Sequence, residues 1–205
     1  MAPSGAKLLL GLCSTKILPM NEDVSARISI RVISFVGALV ALAALIALPA
    51  SASTSSSSKP QVALGALESG VLAQLNEIRV AHGLVPLQLD PTLTAAARAH
   101  THEMLSDGYF EHNSANGSAF WKRIEQFYPP KSDGSWSVGE NLIWTAGTLD
   151  AKQALATWMA SHGHRANILY PKWRQIGVAA AYTADAPGVF GGHSAILVTT
   201  DFGVR

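Results

Sequence analysis

The stretch SHGHRANILYPKWRQIGVAAAY, Ser161 to Tyr182, carries two histidines, an arginine and an asparagine within its first seven residues and then turns apolar. A helical pattern ends here and a strand pattern begins. Upstream, Asp150 and Gln153 have the spacing of a capping box that opens a helix through Ala160. Leu155, Trp158 and Met159 form its apolar stripe, and Gly163 is its predicted stop. Downstream, QIGVAAAYT and HSAILVTTDFG read as two strands joined by ADAPGVFGG, a turn rich in Gly and Pro.

The preceding residues are helical. Leu67, Val71, Leu75 and Ile78 recur on one helix face, and Gly83 ends that helix. VPLQL is too short to assign. Asp90-Pro91 starts a second helix: Asp caps, and Pro occupies the first turn, where its missing N–H costs nothing. Leu93, Ala97, His100 and Met104 share its face, and Gly108 stops it. YFEHNSANGSAF is a loop with a turn at Asn116-Gly117, and a short amphipathic helix starts near Ser118. PPKSDGSWS is loop, and VGENLIWT is extended. Helices come first and a β-pair last, without a repeated βαβ unit. The fold class is therefore α+β.

Residues 33–49, ISFVGALVALAALIALP, contain no charge and follow Arg27 and Arg31. A basic flank, an apolar run and small residues at Ala50 and Ala52 describe a secretory signal peptide. An uncleaved N-terminal membrane anchor is the alternative, because the run falls just short of a typical span. Residues 1–52 are read as this leader. Its charged region is long unless translation starts at Met20. Residues 53–63 read as a Ser-rich flexible linker, and 64–205 as the folded domain. The sole cysteine of the chain, Cys13, lies in the leader, so the domain has no disulfide and no cysteine nucleophile. From Ser53 onward there are 11 Lys and Arg against 12 Asp and Glu, a net charge of −1. That balance gives no electrostatic case for a nucleic-acid partner.

HEMLS at 102–106 lacks the second histidine of a metalloprotease helix. GSWSVG has the wrong spacing for a nucleophile elbow. Phosphate-binding glycine loops are absent too. All seven histidines lie in the domain. Its polar points are His112, then Glu140 with Asn141, then His162, His164, Arg165 and Asn167. His100 and the tryptophans 121, 144, 158 and 173 read as packing residues, and His102 as exposed. His193, which opens the last strand, is a remote candidate for the same site.

RAHTHEM, GYFEHNSANGS, WKRI, GENL, WMASHGHRANIL and IGVAAAY occur in that order, and the chain over about 67–203 resembles the CAP superfamily, the SCP-like or cysteine-rich secretory, antigen 5 and pathogenesis-related-1 proteins, most of all its bacterial branch. The resemblance implies an α–β–α sandwich, an antiparallel sheet between helical layers with a cleft at one side. In the family two His and two acidic residues line that cleft. His112, Glu140 and His164 match three of them. The second acidic position falls on Ser161, which puts a two-carboxylate mechanism in doubt. Asn141, Arg165 and Asn167 are expected as structural residues near the cleft.

By this resemblance His112 and His164 are the candidate metal ligands, for Zn2+ or another divalent cation. Two protein ligands are fewer than a structural zinc site has, so binding would be weak and would fade below about pH 6 as imidazole protonates. Glu140 then either orients a histidine ring or acts as general base on metal-bound water. Three functions follow. One is an exported binding module, secreted or membrane-tethered, acting on extracellular or cell-envelope lipid or protein partners. The others are a metal-dependent peptidase with Glu140 as catalytic base, and a sterol or fatty-acid carrier. A purely structural His–Glu–His network is the plain alternative.

Overall fold

The computed structural model describes residues 59–132 and 135–205, with side chains from Leu64 onward. The expected leader, 1–52, and the linker as far as residue 58 lie outside the described residues. Helix α1 spans Lys59–Ala81 and so begins within the stretch read as linker. It is followed by β1 (Gln88–Leu89), α2 (Pro91–Asp107), α3 (Phe120–Phe127), β2 (Ser137–Thr145), α4 (Ala151–Ala160), α5 (His162–Ile168), β3 (Gln175–Ala186) and β4 (His193–Val204), with a 3-10 turn at Gly188–Phe190. No helix among the described residues is long and apolar enough to cross a membrane.

Local signals start the helices as expected. Asp90 caps α2 by accepting from the N–H groups of Thr92 at 2.8 Å and Leu93 at 3.1 Å. Gly108 closes that helix at φ 75°, a left-handed conformation that costs glycine little. Asp150 and Gln153 exchange both bonds of the capping box. One boundary differs. Gly163 does not stop α4; the helix ends at Ala160, Ser161 turns extended, and Gly163 sits inside α5. A glycine is a weak stop when tertiary bonds favour another break, and here α5 is held against β2 by asparagine side chains described below.

The four strands lie in the order β1-β3-β4-β2. β2 pairs antiparallel with β4, and β4 with β3. The expected antiparallel sheet is thus formed by β2, β4 and β3, and β1 adds a two-residue parallel pair to β3, Gln88 opposite Gln175 and Leu89 opposite Ile176. Two residues suffice because Asn76 of α1 holds the chain beside them: its amide donates to Leu87 O at 3.0 Å and accepts from Leu87 N at 2.7 Å.

The alternation of the strands divides the core. Ile143, Ile176, Val178, Val198 and Phe202 pack with α1, α4 and α5. Leu142, Leu197 and Ala181 pack with Met104 and Leu105 of α2, and Val138 with Ile124 of α3. Helices thus cover both faces, the α–β–α layering expected. Trp144, Trp158 and Trp173 are buried as expected, and Trp121 is half-buried. α2 approaches β3 so closely that a Cβ on Gly177 would run into the backbone of Leu93 and Thr94.

Candidate functional site

Glu140 stands in mid-β2 and points, with Val138 and Leu142, toward the layer of α2 and α3. It is fully buried. An isolated carboxylate there would be costly, and two donors meet it. His112 Nδ1 lies 2.7 Å from Oε1, and Arg123 Nη2 of α3 donates to Oε2. Arg123 is itself anchored, its Nη1 donating to His112 O at 3.1 Å. Burial alone would raise the Glu140 pKa, but the charges of Arg123 and His100 and the His112 contact reverse this and hold it at about 2. With Glu140 ionised, His112 Nδ1 is the donor of this contact.

Asp201 is the cross-strand partner of Glu140, and it is fully buried as well. Among the described residues no N–H or O–H reaches either of its oxygens. Burial first, and the Glu140 charge second, push its pKa well above the usual carboxylate range. Of the two neighbouring carboxyls, Asp201 is thus the one whose charged form is disfavoured. Two adjacent carboxyls in a buried site divide the roles in this way: one ionised, one neutral.

A second cluster lies beside the first. His100 of α2 is fully buried, with Nε2 at 2.9 Å from Glu111 O and Nδ1 at 3.3 Å from Glu103. Tyr109 donates to the same Glu103 oxygen at 2.7 Å. Burial is the main cause that lowers the His100 pKa. His100 is thus packed, as expected, and bonded as well. A polar pocket of about 290 Å3 opens over this region, with Glu103, Ser114, Asn116, Ser118 and Arg123 in its wall.

His164 is fully buried on α5. Its carbonyl accepts from Asn141 Nδ2 at 3.2 Å. Asn167, also buried, donates to Glu140 O at 3.2 Å and Asn141 Oδ1 at 3.0 Å, and its carbonyl accepts from the Trp173 indole at 2.9 Å. The two asparagines hold α5 to the strand that carries Glu140. Arg165, named with them from sequence, is exposed, as are His102, His162 and His193. His112 is the only one of the three expected cleft residues to reach solvent, with 18 % of its side chain exposed. Among the described residues no group of three His, Cys, Asp or Glu side chains is arranged to hold a metal ion. Two imidazoles without a third such ligand suit at most a loosely held cation.

Arg123 and Asp201 went unassigned in the sequence. Arg123 sits in the WKRI motif, one turn after Phe120, on the helix face it shares with the buried Phe120 and Ile124. For Asp201 the signal was an acidic residue inside an otherwise apolar and threonine-rich strand.

The wider comparisons agree with this architecture. Over 125 residues the chain is 33% identical to a Bacillus subtilis (strain 168) protein called Uncharacterized protein YkwD, covering 61% of this chain and 46% of that protein. Over 111 residues it is 30% identical to Uncharacterized membrane protein YlbC of the same organism, covering 54% of this chain and 30% of that protein. The chain thus spans less than half the length of these curated relatives. In fold it is similar to an extracellular protein containing a SCP domain from Bacillus anthracis, with a TM-score of 0.55 at 24% identity, covering 74% of this chain and 45% of that one. It is also similar to an outer surface protein from Borrelia burgdorferi, with a TM-score of 0.54 at 18% identity, covering 66% and 90%. The sequence pattern of the CAP family, described as the cysteine-rich secretory protein family, matches residues 72–196, and with helices on both sides of this sheet and the GENL and GHRANIL segments joined at Asn167, the chain belongs to that family.

Proposed function

We propose that this CAP-domain protein is exported and acts as a binding module, not a hydrolase, with its recognition site in the polar pocket over Arg123 and the His112–Glu140 pair behind it. One observation carries the reading: both oxygens of Glu140 are taken by His112 and Arg123. A general base works best with a pKa near the operating pH. A carboxylate held at about 2 by a guanidinium is a poor one. Its role is to fix the His112 ring and to balance Arg123, leaving a rigid polar surface for a ligand from the cell envelope or the extracellular space. The charge-free run at 33–49 supports export, and the fold neighbours described as extracellular and outer-surface proteins agree with it. A divalent cation at His112 and His164 is an extension of this reading, drawn from the pair of imidazoles and from Glu140 as the carboxylate that orients the His112 ring.

The test is zinc titration calorimetry on the full chain at about pH 7.5, where imidazole is neutral, with His112→Ala and Glu140→Gln beside it and a peptidase assay on the same samples. Cleavage by the wild type that Glu140→Gln abolishes while the fold persists would overturn the binding reading in favour of hydrolysis. Zinc binding lost in His112→Ala would support the cation. A folded wild type that binds none would remove it and leave the polar pocket as the recognition surface.

A further inference from the structure

We infer that the groove between α1 and α2, at the opposite edge of the sheet from Glu140, is a second binding site that takes an extended peptide from a partner protein by adding it as a strand to β3. Three observations meet there. First, β3 has β1 as its outer neighbour only at Gln175 and Ile176. From Val178 to Tyr182, about 13 Å at strand rise, no described strand covers that edge. The outward positions are set by the bonds already made: Asp90 N donates to Ile176 O at 2.8 Å, so Val178, Ala180 and Tyr182 turn their N–H and C=O groups the same way.

Second, α1 satisfies extended backbone along this edge with side chains. Asn76 pairs with both polar groups of Leu87, and two turns earlier Glu68 accepts the Ala180 N–H at 2.9 Å. A carboxylate oxygen therefore stands where a neighbouring strand would place a carbonyl. The segment Leu87–Leu89 occupies one end of the groove by the same chemistry that a peptide would use farther along.

Third, the free part of the groove measures about 490 Å3, between walls that include Leu72, Leu89 and Val178, with Glu68 and Arg98 at its sides. That volume falls in the range of ligand sites. Leu89 is 56 % exposed, an apolar side chain left uncovered beside open backbone. The occupant fits by alternation: an apolar side chain against Leu72 and Val178, backbone bonds to Val178 and Ala180, and a carboxylate for Arg98. An edge strand left open is an aggregation hazard, and a charged side chain laid across it is a known defence. Glu68 does this until a peptide displaces it. The inference stands apart from the pocket over Arg123, and either site can fail alone.

A random heptapeptide phage library panned on the full-length protein supplies the probe. The enriched peptide is synthesised and titrated by calorimetry, and amide shifts are followed by NMR. Shifts at Val178, Ala180 and Tyr182 are expected. Glu68→Ala, which frees the Ala180 N–H, should tighten binding about threefold, the scale of one hydrogen bond. Arg98→Glu should weaken it about tenfold. Both positions are at the surface, and circular dichroism checks that each variant folds. No enriched peptide, shifts that map to Arg123 and Ser114, or affinity unchanged in both variants would overturn the proposal. So would concentration-dependent dimerisation of Glu68→Ala by light scattering without peptide binding, because the edge would then serve a second copy of the chain.

Discussion

Glu140 and Asp201 sit side by side on β2 and β4 with pKa values shifted in opposite directions, and that contrast governs what single substitutions there should do. Arg123→Ala leaves the Glu140 carboxylate buried without its main counter-charge. The loss should be about 3–5 kcal/mol in urea unfolding. Asp201 has a folded-state pKa above its unfolded value of 3.8. Between those two values the folded protein binds a proton that the unfolded chain has lost. The contribution of Asp201 is therefore full at pH below the unfolded value and is lost as pH rises through the folded one. Glu140 has the opposite sign. Its contribution is present above 4.5 and is lost as pH falls toward about 2. His100, with a lowered pKa, adds a loss that begins as pH drops below 6.5. Asp201→Asn should thus flatten the decline in stability toward alkaline pH and leave the acid limb in place. Urea midpoints measured from about pH 3 to pH 9, wild type against variant, decide this. An unchanged alkaline limb would mean that Asp201 is ionised in the folded protein.

Among the elements, α2 is held at both ends by features legible in the sequence. Asp90 accepts from two backbone N–H groups, and its second oxygen accepts from Gln175 of β3 at 2.8 Å. Asp90→Ala should cost about 1–2 kcal/mol by thermal or urea unfolding, the upper part of the range for a lost cap. Gly177→Ala should cost about 3 kcal/mol, because the new methyl would meet the backbone of α2, which cannot move aside as a side chain can. The first of these sites was readable as a helix start. The second was not, since a glycine in a strand pattern signals close approach without naming the partner. The break between α4 and α5 shows the same limit. Gly163 has the low helix propensity that marks a stop, yet the turn falls at Ser161 because Asn141 and Asn167 fix where α5 must lie.

Across the whole molecule, Asn167 ties α5, β2 and the Trp173 indole into one buried network. Asn167→Ala would leave the Asn141 amide oxygen without this donor and open a small cavity against Gly139. A loss of about 2–4 kcal/mol is expected from the unsatisfied polar groups and the cavity together. Hydrogen exchange would check it, with faster exchange concentrated in α5 and the GENL segment of β2. Uniform loss of protection through the sheet would instead make Asn167 a determinant of global stability.

The sequence by itself determined the elements and most of their ends, because caps, apolar periodicity and turn residues act over a few positions. Through the ordered motifs FEH, GEN and GHRANIL it also determined the family and the residues that meet at Asn167. Only the tertiary structure decided that Arg123 and Asp201 join His112 and Glu140, that β1 pairs in parallel, and that among the described residues no strand covers the outer edge of β3 beside α1. Those facts depend on which strand lies beside which. Cross-strand partners such as Glu140 and Asp201 are 61 positions apart along the chain. No local pattern spans that distance, and the sheet register alone brings the two carboxyls together.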